Sequence, residues 1–157
     1  MTGLDLRRRL MVVVATTVLF SGLAGCRISS GPEPLVWTSR QIAFVVDRKR
    51  GALRMLSVRA GLATLATVPL EAVERTPAML LDEARALLWV RCDDTLLRFE
   101  LPTLQRTGRW ILPEAAREAR ITASGSGAIT LHAGGNAFVL GERVVARVVV
   151  PAMVPAS

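Results

Sequence analysis

The chain has 157 residues and a formal charge of +7, with twenty Lys and Arg against thirteen Asp and Glu. That length suits one domain with a real core rather than several. One histidine and two cysteines cannot supply the usual zinc ligand set, so no metal is expected.

Arg7, Arg8 and Arg9 form a positive segment, and an apolar run follows from Leu10 to Phe20. The run is short for a stable span, which takes about twenty apolar residues. Residues 21–25 are small and weakly structured, which suits a peptidase cleft, and the whole order is that of a secretory signal. The closing tetrad Leu23-Ala24-Gly25-Cys26 resembles the lipobox of bacterial lipoproteins. The resemblance implies signal peptidase recognition at Leu23, Ala24 and Gly25, cleavage before Cys26, and acylation of Cys26 by palmitate-like chains. Several acyl chains anchor firmly where one binds only marginally. Arg27 stands where that family places aspartate for inner-membrane retention in Gram-negative cells, which implies the outer membrane, facing the periplasm. The competing reading is an ordinary signal peptide, or a short core segment in which Cys26 is incidental.

The expected organisation is a signal peptide over 1–25, a lipidated polar tether over 26–34, a β domain over 35–151 and a tail over 152–157. The basic excess survives cleavage, because residues 1–25 carry only Asp5, Arg7, Arg8 and Arg9 as charges. Acidic headgroups or wall polymers are the polyanions within reach, and nucleic acid is not an expected partner. The arginines are scattered rather than blocked, which favours an ordinary solvated surface. With Cys26 acylated, Cys92 has no partner in the chain. In Leu88-Trp89-Val90-Arg91-Cys92 it shares strand parity with Leu88 and Val90, as a buried, inert thiol would.

From Leu35 onward the chain repeats with a period of about 42 residues. Apolar runs at 42–47, 87–92 and 128–133 each lead into a turn: 47–51, Asp93-Asp94 and Gly134-Gly135-Asn136. Second runs follow at 52–58, 95–101 and 137–140. Third runs at 62–68, 104–112 and 144–150 each stop at a proline: Pro69, Pro113 and Pro151. A shorter run precedes each unit, at 35–38, 78–81 and 119–123. Residues 71–74 and 114–119 have helical composition but serve as short connectors. Over residues 96–101, Arg98 and Glu100 share one face opposite Leu97, Phe99 and Leu101, the pattern of a half-buried strand.

The fold class is therefore all-β, with three repeats of four short strands, the period of a propeller blade. The stretch 87–101 resembles a blade of YVTN-type or quinoprotein-type propellers, pairing an aromatic-valine strand with a turn and a strand that ends in an acidic-apolar pair. Trp37, Trp89 and Trp110 occupy non-equivalent places, and no position matches that family's metal or quinone ligands, so no cofactor is expected. Propellers close with four to eight blades, and this chain has three. Two chains could complete a ring, with residues 35–38 supplying a strand to the partner's last blade. A partner protein could cap the array instead, or the units could close on themselves as a β-trefoil.

No residues announce an enzyme. His132 lies with Thr130 on the strand face opposite Ile129 and Leu131, and no nucleophile motif accompanies it. Asp93-Asp94 cannot give calcium its six to eight oxygens and reads as a hairpin turn. Ser124-Gly125-Ser126-Gly127 lacks the lysine and helix of a phosphate loop. Asp82-Glu83 and Glu114 with Glu118 could be imagined as paired glycosidase acids, yet they fit exposed turns. The expected role is non-catalytic: binding or scaffolding an envelope protein partner, or a homo-oligomer, beside a membrane. The alternative is a small-ligand or glycan-binding module.

Overall fold

A computed structural model describes residues 27–30, 33–71, 73–141 and 145–148. Thirteen strands run in chain order: β1 (Arg27–Ser30), β2 (Leu35–Trp37), β3 (Ile42–Asp47), β4 (Ala52–Ser57), β5 (Ala63–Pro69), β6 (Ala78–Asp82), β7 (Leu87–Cys92), β8 (Thr95–Glu100), β9 (Gln105–Ile111), β10 (Arg120–Ala123), β11 (Ile129–Ala133), β12 (Asn136–Leu140) and β13 (Val145–Val148). Single turns of 3-10 helix occupy Thr38–Arg40 and Glu114–Ala116. The described residues hold no α-helix.

Three antiparallel sheets result; two are meanders of four consecutive strands, and the other is such a meander with β1 added at its edge. The first has the order β2-β3-β4-β5, the second β1-β6-β7-β8-β9 and the third β10-β11-β12-β13. None closes into a barrel among the described residues, so the barrel of a trefoil is not present there. Leu35–Trp37 pairs within its own sheet as its edge strand, Leu35 opposite Phe44. Part of the expected tether is also strand: Arg27–Ser30 pairs with β6, from Arg27 opposite Leu81 to Ser30 opposite Ala78. Short polar stretches still pair when a free sheet edge offers unsatisfied N–H and C=O groups.

The first two sheets correspond in detail. A bulge falls between Met55 and Leu56 in β4 and between Arg98 and Phe99 in β8, at the same step of each strand. A residue with positive φ precedes β3 (Gln41), β7 (Ala86), β5 (Leu62) and β9 (Leu104). The amide of Val58 donates to the Gln41 carbonyl, and that of Leu101 to the Ala86 carbonyl, at matching positions.

The second sheet lies between the other two. Strand parity sends Leu88, Val90 and Cys92 to one side, where they meet Leu35, Phe44, Leu53 and Met55 of the first sheet. Trp89 and Leu80 go to the other side and meet Ile121, Ile129, Leu131 and Phe138 of the third. β8 keeps the half-buried pattern its sequence suggests, with Leu97, Phe99 and Leu101 buried, Arg98 half-buried and Glu100 exposed, except that Leu96 at its start is also buried. Leu97 and Phe99 pack towards the first sheet, while Leu96 packs towards the third. A further buried group of Val36, Ala43, Val45 and Leu56 sits on the first sheet's far face.

Candidate functional site

Antiparallel meanders place alternate connections at opposite ends of a sheet. At one end, connections 70–77, 93–94, 112–119 and 134–135 converge. Asp93, at φ 45, organises this end. Its carboxylate accepts the backbone N–H of Glu74 at 2.8 Å and that of Arg75 at 2.7 Å. Two adjacent aspartates thus form a hairpin turn whose first side chain fastens the neighbouring connection.

Arg91 ties the same end to the third sheet. It is only 5% exposed and donates through Nη2 to the Thr76 carbonyl at 3.0 Å and through Nη1 to the Arg117 carbonyl. Burial depresses its pKa, an effect opposed by Cys92, Glu118 and Asp93. Sequence reading passed over this residue. The available signal was an arginine with the inward parity of Trp89, in a strand otherwise free of charge.

Above these connections lies an open groove of about 650 Å³, lined by Arg75, Glu114, Glu118, Arg120, His132 and Asn136. Arg75 and Glu118 form an exposed ion pair at 3.0 Å. The exposed His132 shares a hydrogen bond with Thr122 between Nε2 and Oγ1, at 3.1 Å. A smaller depression of about 430 Å³ continues from Arg120 and His132 around the Gly134-Gly135 turn. The arrangement can accept and donate hydrogen bonds to a polar ligand. The Thr122 hydroxyl meets His132, but among the described residues no Asp or Glu is shown hydrogen-bonded to that histidine as in a catalytic triad.

The other singled-out residues resolve individually. Cys92 is fully buried; burial first, and Asp93 second, push its thiol up to about 12, so it stays neutral and unreactive. Asp82 is buried and held by Arg85, with Nη1 to Oδ2 at 2.9 Å. Its neighbour Glu83 accepts from the Ser39 hydroxyl at 3.3 Å. These contacts make Asp82 a turn-fastening residue rather than half of an acid pair. Glu114 and Glu118 line the groove. Residues 124–127 join β10 to β11, with the Gly127 amide donating to the Ser124 carbonyl. Leu23, Ala24, Gly25 and Cys26 lie outside the described residues.

A second polar cluster, equally silent in the sequence, sits between the second and third sheets. The Arg98 guanidinium lies 5.6 Å from the Trp89 ring and 5.7 Å from that of Trp110, and the two rings are 5.3 Å apart. Trp110 Nε1 donates to the Gly141 carbonyl at 3.0 Å. Gly108 is required here, because a Cβ would come within 2.4 Å of the Trp110 ring.

Among the described residues no group of His, Cys, Asp and Glu is placed to hold a metal ion, and no helix is long and apolar enough to cross a membrane. No protein-family model matches the chain, and no curated protein matches it.

Proposed function

We propose that the protein is a lipid-anchored envelope component, held at the outer membrane through Cys26. In this reading its three blade-like sheets bind or scaffold a protein partner on the periplasmic side. The observation that carries it is the joining of a lipobox to an array of three four-strand meanders that does not close. The matching bulges and turn hydrogen bonds of the first two sheets support a common blade-like unit. Among the described residues no buried cluster joins side chains of the first and third sheets. Arrays of such units expose terminal faces unless something caps them, and a second copy or another envelope protein would serve.

Crosslinking in membranes followed by purification of the acylated chain tests this. Recovery of a defined envelope protein supports the partner; a strictly monomeric species at high concentration removes the two-chain ring. Replacing Cys26→Ala abolishes labelled-palmitate incorporation if the anchor is correctly assigned. The mixed-charge groove favours a second reading, a small-ligand or glycan-binding module, which glycan-array binding sensitive to Arg120→Ala would support.

A further inference from the structure

The strand β1 has a geometric consequence for the anchor. Arg27 is already paired with Leu81, near the end of β6 that leads into connection 83–86. Consecutive Cα atoms are about 3.8 Å apart across a trans peptide bond, so an anchor on the residue before Arg27 would have almost no slack relative to that end of the second sheet. β1 also lies against β2 and β10, the first strands of the other two sheets. The chain therefore leaves the membrane from a point where all three sheets converge.

Hydrogen bonds identify the connections that share this end. Ser39 donates to Glu83 across the first and second sheets, and Arg85 Nη2 donates to the Gly125 carbonyl across the second and third, at 3.2 Å. Connections 38–41, 83–86 and 124–128 thus lie together, and meander alternation adds 58–62 and 101–104. The charged residues of these five connections are Arg40, Arg59, Arg85 and Glu83; at the adjoining strand ends Asp82 holds Arg85 at 2.9 Å and Glu100 is exposed, so Arg40 and Arg59 are the exposed cations that no carboxylate of this end is shown to pair. All three arginines are exposed, while Glu83 is half-buried. The opposite end is different. Arg48, Lys49, Arg50, Arg75 and Arg117 face six carboxylates there: Glu71, Glu74, Asp93, Asp94, Glu114 and Glu118.

We propose that β1 turns the acyl anchor into an orienting one, seating the end with Arg40 and Arg59 on an anionic lipid surface while the groove end points away. Cations near an anionic headgroup layer are attracted over about a Debye length. An anchor without slack keeps them within that range, where a flexible tether would not. This rests on the lipoprotein reading, and the experiment separates the two.

The acylated full chain is reconstituted in vesicles containing anionic phospholipid and a headgroup-attached nitroxide lipid. Single dyes are placed by Ala60→Cys or Ser126→Cys at one end, and by Lys49→Cys or Ala115→Cys at the other. The buried Cys92 stays unlabelled. The expected result is several-fold stronger quenching at residues 60 and 126 than at 49 and 115. Inserting a flexible Gly-Ser linker between Cys26 and Arg27 is expected to erase that difference. Palmitate incorporation with equal quenching at both ends would overturn the orientation and leave the anchor standing. Full persistence of the difference in the linker variant would overturn the role of β1. Absence of palmitate would overturn both readings.

Discussion

The two faces of the second sheet are held by different physics. Towards the first sheet, the interface is aliphatic and aromatic side chains around Phe44, Leu53, Leu88, Leu97 and Phe99, with the neutral Cys92 thiol among them. Towards the third, Leu80, Leu96, Ile121 and Leu131 are joined by the Trp89–Trp110 pair, the Arg98 guanidinium and the carbonyl-bound Arg91. The first contact is non-directional and scales with apolar area removed from water. The second adds hydrogen bonds and ring geometry that tolerate little displacement. One interface supplies cohesion, and the other also fixes where the third sheet sits.

Substitutions can separate the two. The largest effect is expected from Phe99→Ala, which leaves a cavity in the apolar interface and costs about 3–5 kcal/mol in denaturant unfolding. Next comes Arg91→Met. It leaves the Thr76 and Arg117 carbonyls without their donor, at about 2–4 kcal/mol. Amide exchange discriminates: Arg91→Met should speed exchange selectively around residues 114–119, whereas Phe99→Ala should not. Gly108→Ala follows at about 1–3 kcal/mol, because the added methyl displaces the Trp110 ring. A blue- or red-shifted tryptophan emission in that variant would report the disturbed pair, and an unchanged spectrum would contradict the account.

The smallest effect concerns a pair bridging the first two sheets. Arg109 holds Glu71 bidentately, with Nε to Oε1 at 2.9 Å and Nη2 to Oε2 at 2.7 Å. The hydrogen bond from Arg109 depresses the Glu71 carboxyl below its usual value. A carboxylate with a depressed folded pKa stabilises above its unfolded value and loses that contribution as pH falls through the folded one. The pair is half-exposed and screened, so Glu71→Gln should cost less than about 1 kcal/mol at neutral pH. The gap between the two melting curves should vanish as pH drops below the glutamate range.

Much of the strand order was legible before any coordinates. Asp93-Asp94, Gly134-Gly135, Pro69 and Pro113 mark strand ends by local chemistry, so strands appear at 42–47, 87–92 and 129–133 as expected. Parity likewise located Cys92 inside and His132 outside. What parity cannot reveal is whether another sheet lies opposite. The alternation of Leu97 and Phe99 with Arg98 and Glu100 marked β8 as half-buried, but not that Leu96 would be buried against a third sheet. Arg27–Ser30 is polar and short, and its pairing depends on an edge more than fifty residues downstream, so local pattern is silent there. The groove is assembled from connections 70–77 and 112–119 together with β10, β11 and the turn after it, and the carbonyl partners of the nearby Arg91 carry no residue-type signature at all.

The pairing of β1 with β6 also imposes an order of events on the emerging chain. Every strand of the first sheet finds its neighbour close by in sequence, whereas Arg27 must wait for Leu81. Closing so long a loop is slower than forming a hairpin. The start of the domain therefore stays unpaired while the first sheet assembles, which on the proposed lipoprotein reading leaves an interval for processing enzymes to act. Once β6 arrives, that interval closes.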